Sequence, residues 1–314
     1  MNHNLKFIDL FAGIGGFHLA FHNLGCECVF ASEIDKFARI TYQENISKIS
    51  PELFDRNMFA GDIQEVDTKR IPNFNILCAG FPCQPFSQIG YKNGFADKKD
   101  NRGNMFFEIV RIIKDKKPEA FFLENVRNLE KHDDGKTFSV IKNTLKDLGY
   151  SFHYKLIRAS DYGLPQHRPR LFMVGFKDES TSNSNFSFPK KKNLKYTLSD
   201  IFNGKCDKDV GFTLRVGGRG SKIDDRRNWE FYRVDGNVKR LTSKEGKLMQ
   251  GFPDYFSFPV SEVQAMKQLG NSVAISAIQS VAESMIEYME FKKSSQKIKD
   301  SKALIIQHKQ RVKN

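Results

Sequence analysis

The sequence predicts an α/β protein, a mostly parallel sheet with helices on both faces, joined to a smaller second domain. Three observations lead there. Short apolar runs alternate with segments of helical period through the first half of the chain. The first run ends in a glycine-rich turn, where a strand hands over to a helix. After Phe176 the alternation stops, and Ser, Asn, Lys, Arg and Gly dominate as far as about Arg240. With 314 residues, 39% of them hydrophobic, the chain is long enough for two domains and a sizeable core.

Taken in order, Lys6–Phe11, Cys26–Ser32, Phe74–Gly80 and Ala120–Val126 read as buried strands, and a further short strand precedes Gly61-Asp62. Phe106, Ile109, Val110 and Ile113 recur at i, i+3, i+4, i+7, and Phe138, Ile141, Leu145 and Leu148 nearly do, so each segment forms a helix with one face on the sheet. Two more strands, Ser151–Ala159 and Arg170–Phe176, bracket a loop rich in polar residues, Ser160–Pro169. A connection follows from Asp178 to Lys195, then the small domain. Capping boxes at Thr242-Ser-Lys-Glu245 and Ser261-Glu-Val-Gln264 open two helices, and apolar residues at helical spacing from Ser272 to Phe291 predict a longer one. The expected boundaries are 1–180 for the first domain, 181–261 for the small domain, 262–291 for helices that pack back, and 292–314 for a frayed or disordered basic tail. Nonspecific affinity for DNA is the functional alternative for that tail.

The net charge of +13 and pI near 9.4 exceed what solubility requires and point to a polyanionic partner, nucleic acid ahead of a membrane surface. No apolar run reaches membrane-spanning length and the first residues carry no signal pattern, so the cytoplasm is the expected location. Five scattered cysteines make neither a disulfide framework nor a metal knuckle, and no metal is expected. Cys26 and Cys28 alternate along a strand and read as structural.

One cysteine stands apart. Cys83, in Gly80-Phe-Pro-Cys-Gln-Pro-Phe-Ser87, follows Pro82 at the exit of a strand, where a thiol can be rigid and exposed enough to attack. A lone cysteine is more often a small buried hydrophobe, which is how Cys78 reads. The turn Asp9-Leu-Phe11-Ala-Gly13-Ile-Gly15-Gly16 lets backbone approach a ligand, and Glu33, 20 residues past Gly13, can accept from both hydroxyls of a ribose. Asp62 can accept from an adenine amino group, so the set fits an adenosine ligand, although singly each acid reads as a helix cap or surface charge. Glu124, ending the apolar strand Phe121–Val126, is expected to have a raised pKa suited to proton donation; its bland reading is a cap. Arg168 and Arg170, in Gln166-His-Arg-Pro-Arg170, suit a carbonyl or phosphate oxygen, with surface solubility as the alternative.

Together, Asp9–Gly16, Gly80–Ser87, Glu124–Val126, Gln166–Arg170, Gln250–Pro253 and Gly270–Val273 resemble, in order and spacing, the motifs of the bacterial DNA (cytosine-5)-methyltransferases of restriction-modification systems. The resemblance covers most of the chain and leaves out about Asp178 to Val238, where that family keeps its variable target-recognition region. It implies the Rossmann-like fold of S-adenosylmethionine-dependent methyltransferases. By the same resemblance Cys83 attacks C6 of a flipped cytosine, Glu124 holds N3, and Arg170, supported by Arg168, binds O2. S-adenosyl-L-methionine would lie against Phe11, Gly13, Gly15, Gly16, Glu33, Ile34, Asp62, Ile63 and Pro82, with Asn271 and Ser272 closing the methionine side. Double-stranded DNA would meet Gln84, Ser87, Gln166, Arg215, Arg219, Lys222, Arg226, Arg227 and Arg240, the last bracing the small domain, and arginine-guanine contacts would favour a GC-containing site. The stretch from Gln84 to Asn104 reads as a loop that closes over DNA, and Trp229 as core rather than a base-stacking ring. The resemblance further implies a monomer on the nucleoid, with a restriction endonuclease acting on the same site without direct contact. Ile34 stands where many relatives carry a large aromatic, and His18 where an arginine is frequent. A transfer-RNA cytosine-5 methyltransferase and a catalytically silent DNA-binding homologue stay open as alternatives; a nicotinamide dehydrogenase is disfavoured because the full dinucleotide fingerprint is absent.

Overall fold

The computed structural model describes residues 4–82, 105–177, 185–218 and 220–311. Seven strands form one sheet: β1 (Lys6–Leu10), β2 (Glu27–Ser32), β3 (Phe59–Ala60), β4 (Ile76–Gly80), β5 (Ala120–Val126), β6 (His153–Arg158) and β7 (Pro169–Phe176). They lie in the order β3-β2-β1-β4-β5-β7-β6. The first five are parallel, and β7 runs antiparallel to both β5 and β6. β4 (ILCAG) and β5 (AFFLENV) are apolar along nearly their whole length because both faces are covered.

Alternation along these strands feeds two cores. Phe7, Cys78 and Phe122 face one side, where α1 (Gly16–His22), α2 (Lys36–Ile46) and the short α3 (Glu52–Asp55) pack. Ile8, Leu77, Phe121 and Leu123 face the other, against α4 (Met105–Lys116) and α5 (Lys136–Asp147). Phe106, Ile109, Val110 and Ile113 on α4 are buried, as are Phe138, Ile141 and Leu145 on α5, which is the apolar face their spacing predicts.

Beyond β7 lie α6 (Leu198–Phe202), a hairpin of β8 (Phe231–Val234) and β9 (Asn237–Arg240), then α7 (Ser243–Met249), α8 (Glu262–Asn271) and α9 (Ile275–Arg311). Leu198, Leu214, Trp229, Tyr232 and Met249 join the same buried cluster as Ile278, Val281 and Met285 of α9, so the small region shares a core with the sheet. Trp229 is 1% exposed, a core residue. The capping box of α7 forms: Glu245 accepts from both the backbone N–H and the hydroxyl of Thr242.

Three expectations change. The helix read from Ser272 begins three residues later, at Ile275, because Ser272, which ends α8, is extended (φ −73°, ψ 168°). The region before Arg240 holds a hairpin, turned by Asp235 (φ +51°) and Gly236 (φ +77°), the Asp-Gly pair that a tight two-residue turn favours. The tail does not fray at residue 292; α9 continues as helix to Arg311.

Candidate active site

Strand order reverses direction between β1 and β4, and ligands of open parallel sheets bind at the carboxyl ends of the strands flanking such a point. A cavity of about 880 Å³ opens there. Phe11, Glu33, Gly80 and Glu124, from the ends of β1, β2, β4 and β5, line it, together with Asp62, Ile63, Arg170, Arg215 and Asn271.

The turn after β1 is bent sharply. Phe11 (φ +55°) and Gly13 (φ +56°) are both left-handed, and this turns the Gly13 N–H toward Glu33, whose Oε2 accepts it at 2.7 Å. Glu33 Oε1 accepts the Asp35 N–H at 2.8 Å. Burial pushes the Glu33 pKa up, and these backbone donors oppose the rise. Arg39 fixes the neighbouring strand exits, donating to the carbonyls of Glu33 (3.0 Å) and Ala60. Asp62 is also a cap, its Oδ1 accepting from Gln64 N–H at 2.9 Å, while Ile34 is 69% exposed. Arg111 holds this wall from behind through the carbonyls of Ile63 (2.9 Å) and Val66 (3.0 Å), a support that its place among the apolar spacings of α4 did not signal.

Across the cavity, antiparallel pairing puts Arg170 opposite Val126, two residues from Glu124 on the same face of the sheet. Arg170 Nε lies 3.0 Å from Glu124 Oε1, both side chains largely buried. Burial raises the Glu124 pKa, and Arg170 and then Arg168 pull it back. The arrangement offers a carboxyl that can hold a proton beside a fixed guanidinium. Asn125 follows Glu124 at the exit of β5. It is 2% exposed and its Nδ2 donates to the Phe81 carbonyl at 2.9 Å, which fixes the chain two residues before Cys83. Pro82 lines the cavity. Cys83, Gln84, Ser87, Arg219 and the loop to Asn104 lie outside the described residues.

Several expected site residues sit elsewhere. Arg168 does not join Arg170 in the cavity: it is 2% exposed, and its guanidinium donates to the carbonyls of Leu214 (3.3 Å), Gly270 (3.0 Å) and Ser272. Gln166, expected at DNA, is fully buried, donating to the Met249 carbonyl at 3.2 Å and accepting from Leu214 N–H at 3.1 Å. Gly15, Gly16 and Ser272 are absent from the cavity wall. Gly16 is a packing residue, since a Cβ there would come within 2.5 Å of Val273 Cγ2.

In the small region, Arg215 reaches the cavity, and Lys222, Arg226 and Arg227 are exposed, Arg227 held 2.7 Å from Asp225. Arg240 Nε lies 2.9 Å from Glu230, a carboxylate 1% exposed that also accepts the Gly220 N–H.

A family model described as C-5 cytosine-specific DNA methylase matches residues 5–214 and 211–287. The chain is 43% identical over 321 residues to the Type II methyltransferase M1.ScrFI of Lactococcus lactis subsp. cremoris, covering 91% of this chain and 79% of that protein. It is 38% identical to the Type II methyltransferase M.HhaI of Haemophilus parahaemolyticus, covering 92% and 96%. Among solved structures, a mutant of Spodoptera frugiperda DNMT2 matches with TM-score 0.67 at 20% identity over 90% of this chain and 99% of that one. The S. pombe Dnmt2 methyltransferase matches at 0.65 and 18% over 91% and 99%, so the architecture is shared where little sequence is. From the motif order, the cavity at the strand ends and these matches, the chain belongs to the C-5 cytosine-specific DNA methylase family.

Proposed function

We propose that this chain, a DNA (cytosine-5)-methyltransferase, acts on a flipped cytosine through Cys83, with Glu124 and Arg170 as the groups that make the ring reactive. The observation that carries this reading is the buried Glu124–Arg170 pair, 3.0 Å apart on the cavity wall beside the strand exit that leads to Cys83. Carbon C5 of cytosine is a poor nucleophile. Addition of the Cys83 thiolate to C6, with Glu124 supplying a proton at N3, gives C5 the character of an enamine carbon. Arg170, held in place by Glu124, meets the O2 edge. Once C5 carries the methyl group, loss of its proton to a base expels the Cys83 sulfur as thiolate, and return of the N3 proton to Glu124 restores the ring.

S-adenosylmethionine supplies an electrophilic methyl group. The wall fits its adenosine half: Glu33 keeps lone pairs free for ribose hydroxyls beyond the two backbone donors it accepts, and Phe11, Ile34, Asp62 and Ile63 offer an apolar surface with one acceptor. Asn271, also on the wall, is suited to the methionine end. The target carbon is unreachable in a stacked duplex, so the base must leave it at a cost of about a few kcal/mol. Residues 181–261 are assigned to reading the sequence, with Arg215, Lys222 and Arg226 the groups best presented to DNA. The name of the relatives, Type II methyltransferase, supports a role as the modification partner of a restriction endonuclease.

Two variants test the division of labour. Cys83→Ser is expected to abolish methyl transfer and leave calorimetric binding of S-adenosylmethionine within about twofold. Glu33→Ala is expected to weaken that binding by about 1–3 kcal/mol through lost charge-assisted hydrogen bonds. Methyl transfer by Cys83→Ser at the wild-type rate contradicts the covalent route, and unchanged binding by Glu33→Ala removes Glu33 from the cofactor site.

A further inference from the structure

The positive charge of the chain is unevenly spread. Residues 292–314 hold eight Lys and Arg against the single acid Asp300, a net +7 of the chain's +13, which leaves +6 for the other 291 residues. That segment does not flank the catalytic cavity. α9 starts beside it, where Ile275 N–H donates to the Gln250 carbonyl at 3.0 Å and Val273 packs near Gly16 and Gly80. It ends its packed course at the opposite, amino-terminal end of the strands. There Lys293 Nζ is 2.9 Å from Glu119 Oε2, Glu119 accepts from Asn75 Nδ2 at 2.6 Å, and Asn75 Oδ1 accepts from Lys6 N–H at 2.8 Å. Those residues stand at the amino ends of β5, β4 and β1. The helix therefore runs antiparallel to the strands, is buried as far as Met289, and continues unbroken to Arg311. At 1.5 Å per residue, the part beyond Lys293 extends about 27 Å from the strand ends opposite the cavity.

We propose that this extension is a second nucleic-acid contact, a basic rod that grips the phosphate backbone of a duplex segment other than the one in the catalytic cavity. Lysines carried on a helix neutralise phosphates and release counterions without reading sequence. Such a grip would hold the enzyme on DNA between targets or bring it two segments at once. Self-pairing is the less supported occupant. Phe291, Ile298, Ile305 and Val312 recur every seventh residue, but Ser294, Ser301 and His308 fill the complementary positions, half of a coiled-coil seam, and two copies would set +7 against +7. The choice of polyanion rests on DNA being the substrate.

The test uses a fluorescent duplex of about 30 A·T base pairs, which contains no cytosine and so reports on backbone contact independently of methyl transfer. Its binding is titrated at several salt concentrations for the full chain, for a truncation after Phe291, and for the helix-compatible charge reversal Lys297→Glu, Lys299→Glu, Lys302→Glu, Lys309→Glu. Both variants should lose at least about tenfold in affinity at low salt, and the log–log salt slope should fall by about 3–5, while the rate on short sheared genomic fragments stays within about twofold. Unchanged affinity and slope in the charge reversal, with its thermal melt unaltered, would overturn the proposal. So would loss of self-association, or of binding to phosphatidylglycerol vesicles, with duplex affinity intact.

Discussion

The buried histidine of α1 illustrates how one side chain sets a pH dependence. His18 is fully buried, with Nδ1 2.8 Å from the Tyr42 hydroxyl and Nε2 3.0 Å from Ser50 Oγ. Burial and the neighbouring His22 push its pKa down to about 3. In the unfolded chain it takes a proton near pH ~6.5, so acid favours unfolding: the native contribution is whole above that value and is lost as pH falls toward the folded pKa. By pH 5 the loss is about 2 kcal/mol. Asp9, Glu33 and Glu124 lean the other way, because burial raises their pKa values and the folded chain keeps protons that the unfolded chain has released. Comparison with His18→Gln isolates the histidine: between pH 7 and 5 the unfolding free energy of the wild type should fall by about 2 kcal/mol relative to the variant. A constant difference in chemical denaturation contradicts a neutral buried imidazole. At this scale the sequence was partly legible. Glu33, Asp62 and Glu124, read at strand exits, and Arg170, read where a loop enters a strand, line one cavity. The burial of Gln166 and Arg168 was not legible, because their partners, the carbonyls of Met249, Leu214, Gly270 and Ser272, are 46 to 104 residues away along the chain.

Arg168 matters most at the scale of elements. It ties the loop between β6 and β7 to Leu214 in the small region and to the junction of α8 and α9, all by main-chain carbonyls. Replacing it by the similarly sized Arg168→Met removes the charge and leaves buried acceptors without donors, so a loss of about 2–4 kcal/mol is expected in urea unfolding. Arg168→Lys should recover little of it, since a compact ammonium cannot reproduce the planar fork that reaches all three carbonyls. Recovery to wild-type stability by lysine would mean that charge alone suffices. Strands and helices of the first half were readable because β4 and β5 are buried on both faces and α4 and α5 on one, and those environments leave clear apolar signatures. β3 was placed only by its neighbour Gly61, having two residues, and β9 escaped because all four of its residues are exposed and polar or isolated apolar. The Asp235-Gly236 pair was the signal that could have found the hairpin.

Across the whole molecule, the carboxyl ends of the strands hold the proposed active site, and the helix that passes their amino ends carries the surplus charge. The carboxyl ends of β1, β2, β4 and β5 gather the wall proposed for the cofactor, the Glu124–Arg170 pair and the chain leading to Cys83. Arg215 and Asn271 close the cavity from the small region and the end of α8, so the proposed target reading and methyl transfer would share a boundary. The family was legible from six ordered motifs, whereas the course of α9 past the core was not, since beyond Phe291 Lys, Ser and Gln dominate and only half of an apolar seam remains. The measurement that tests the central claim most directly is base-resolution 5-methylcytosine sequencing of unmethylated genomic DNA incubated with the purified protein and S-adenosylmethionine. New 5-methylcytosine confined to one short duplex motif, and absent with Cys83→Ser, is the predicted result; no 5-methylcytosine in DNA, with cofactor binding demonstrated in the same preparation, would contradict it.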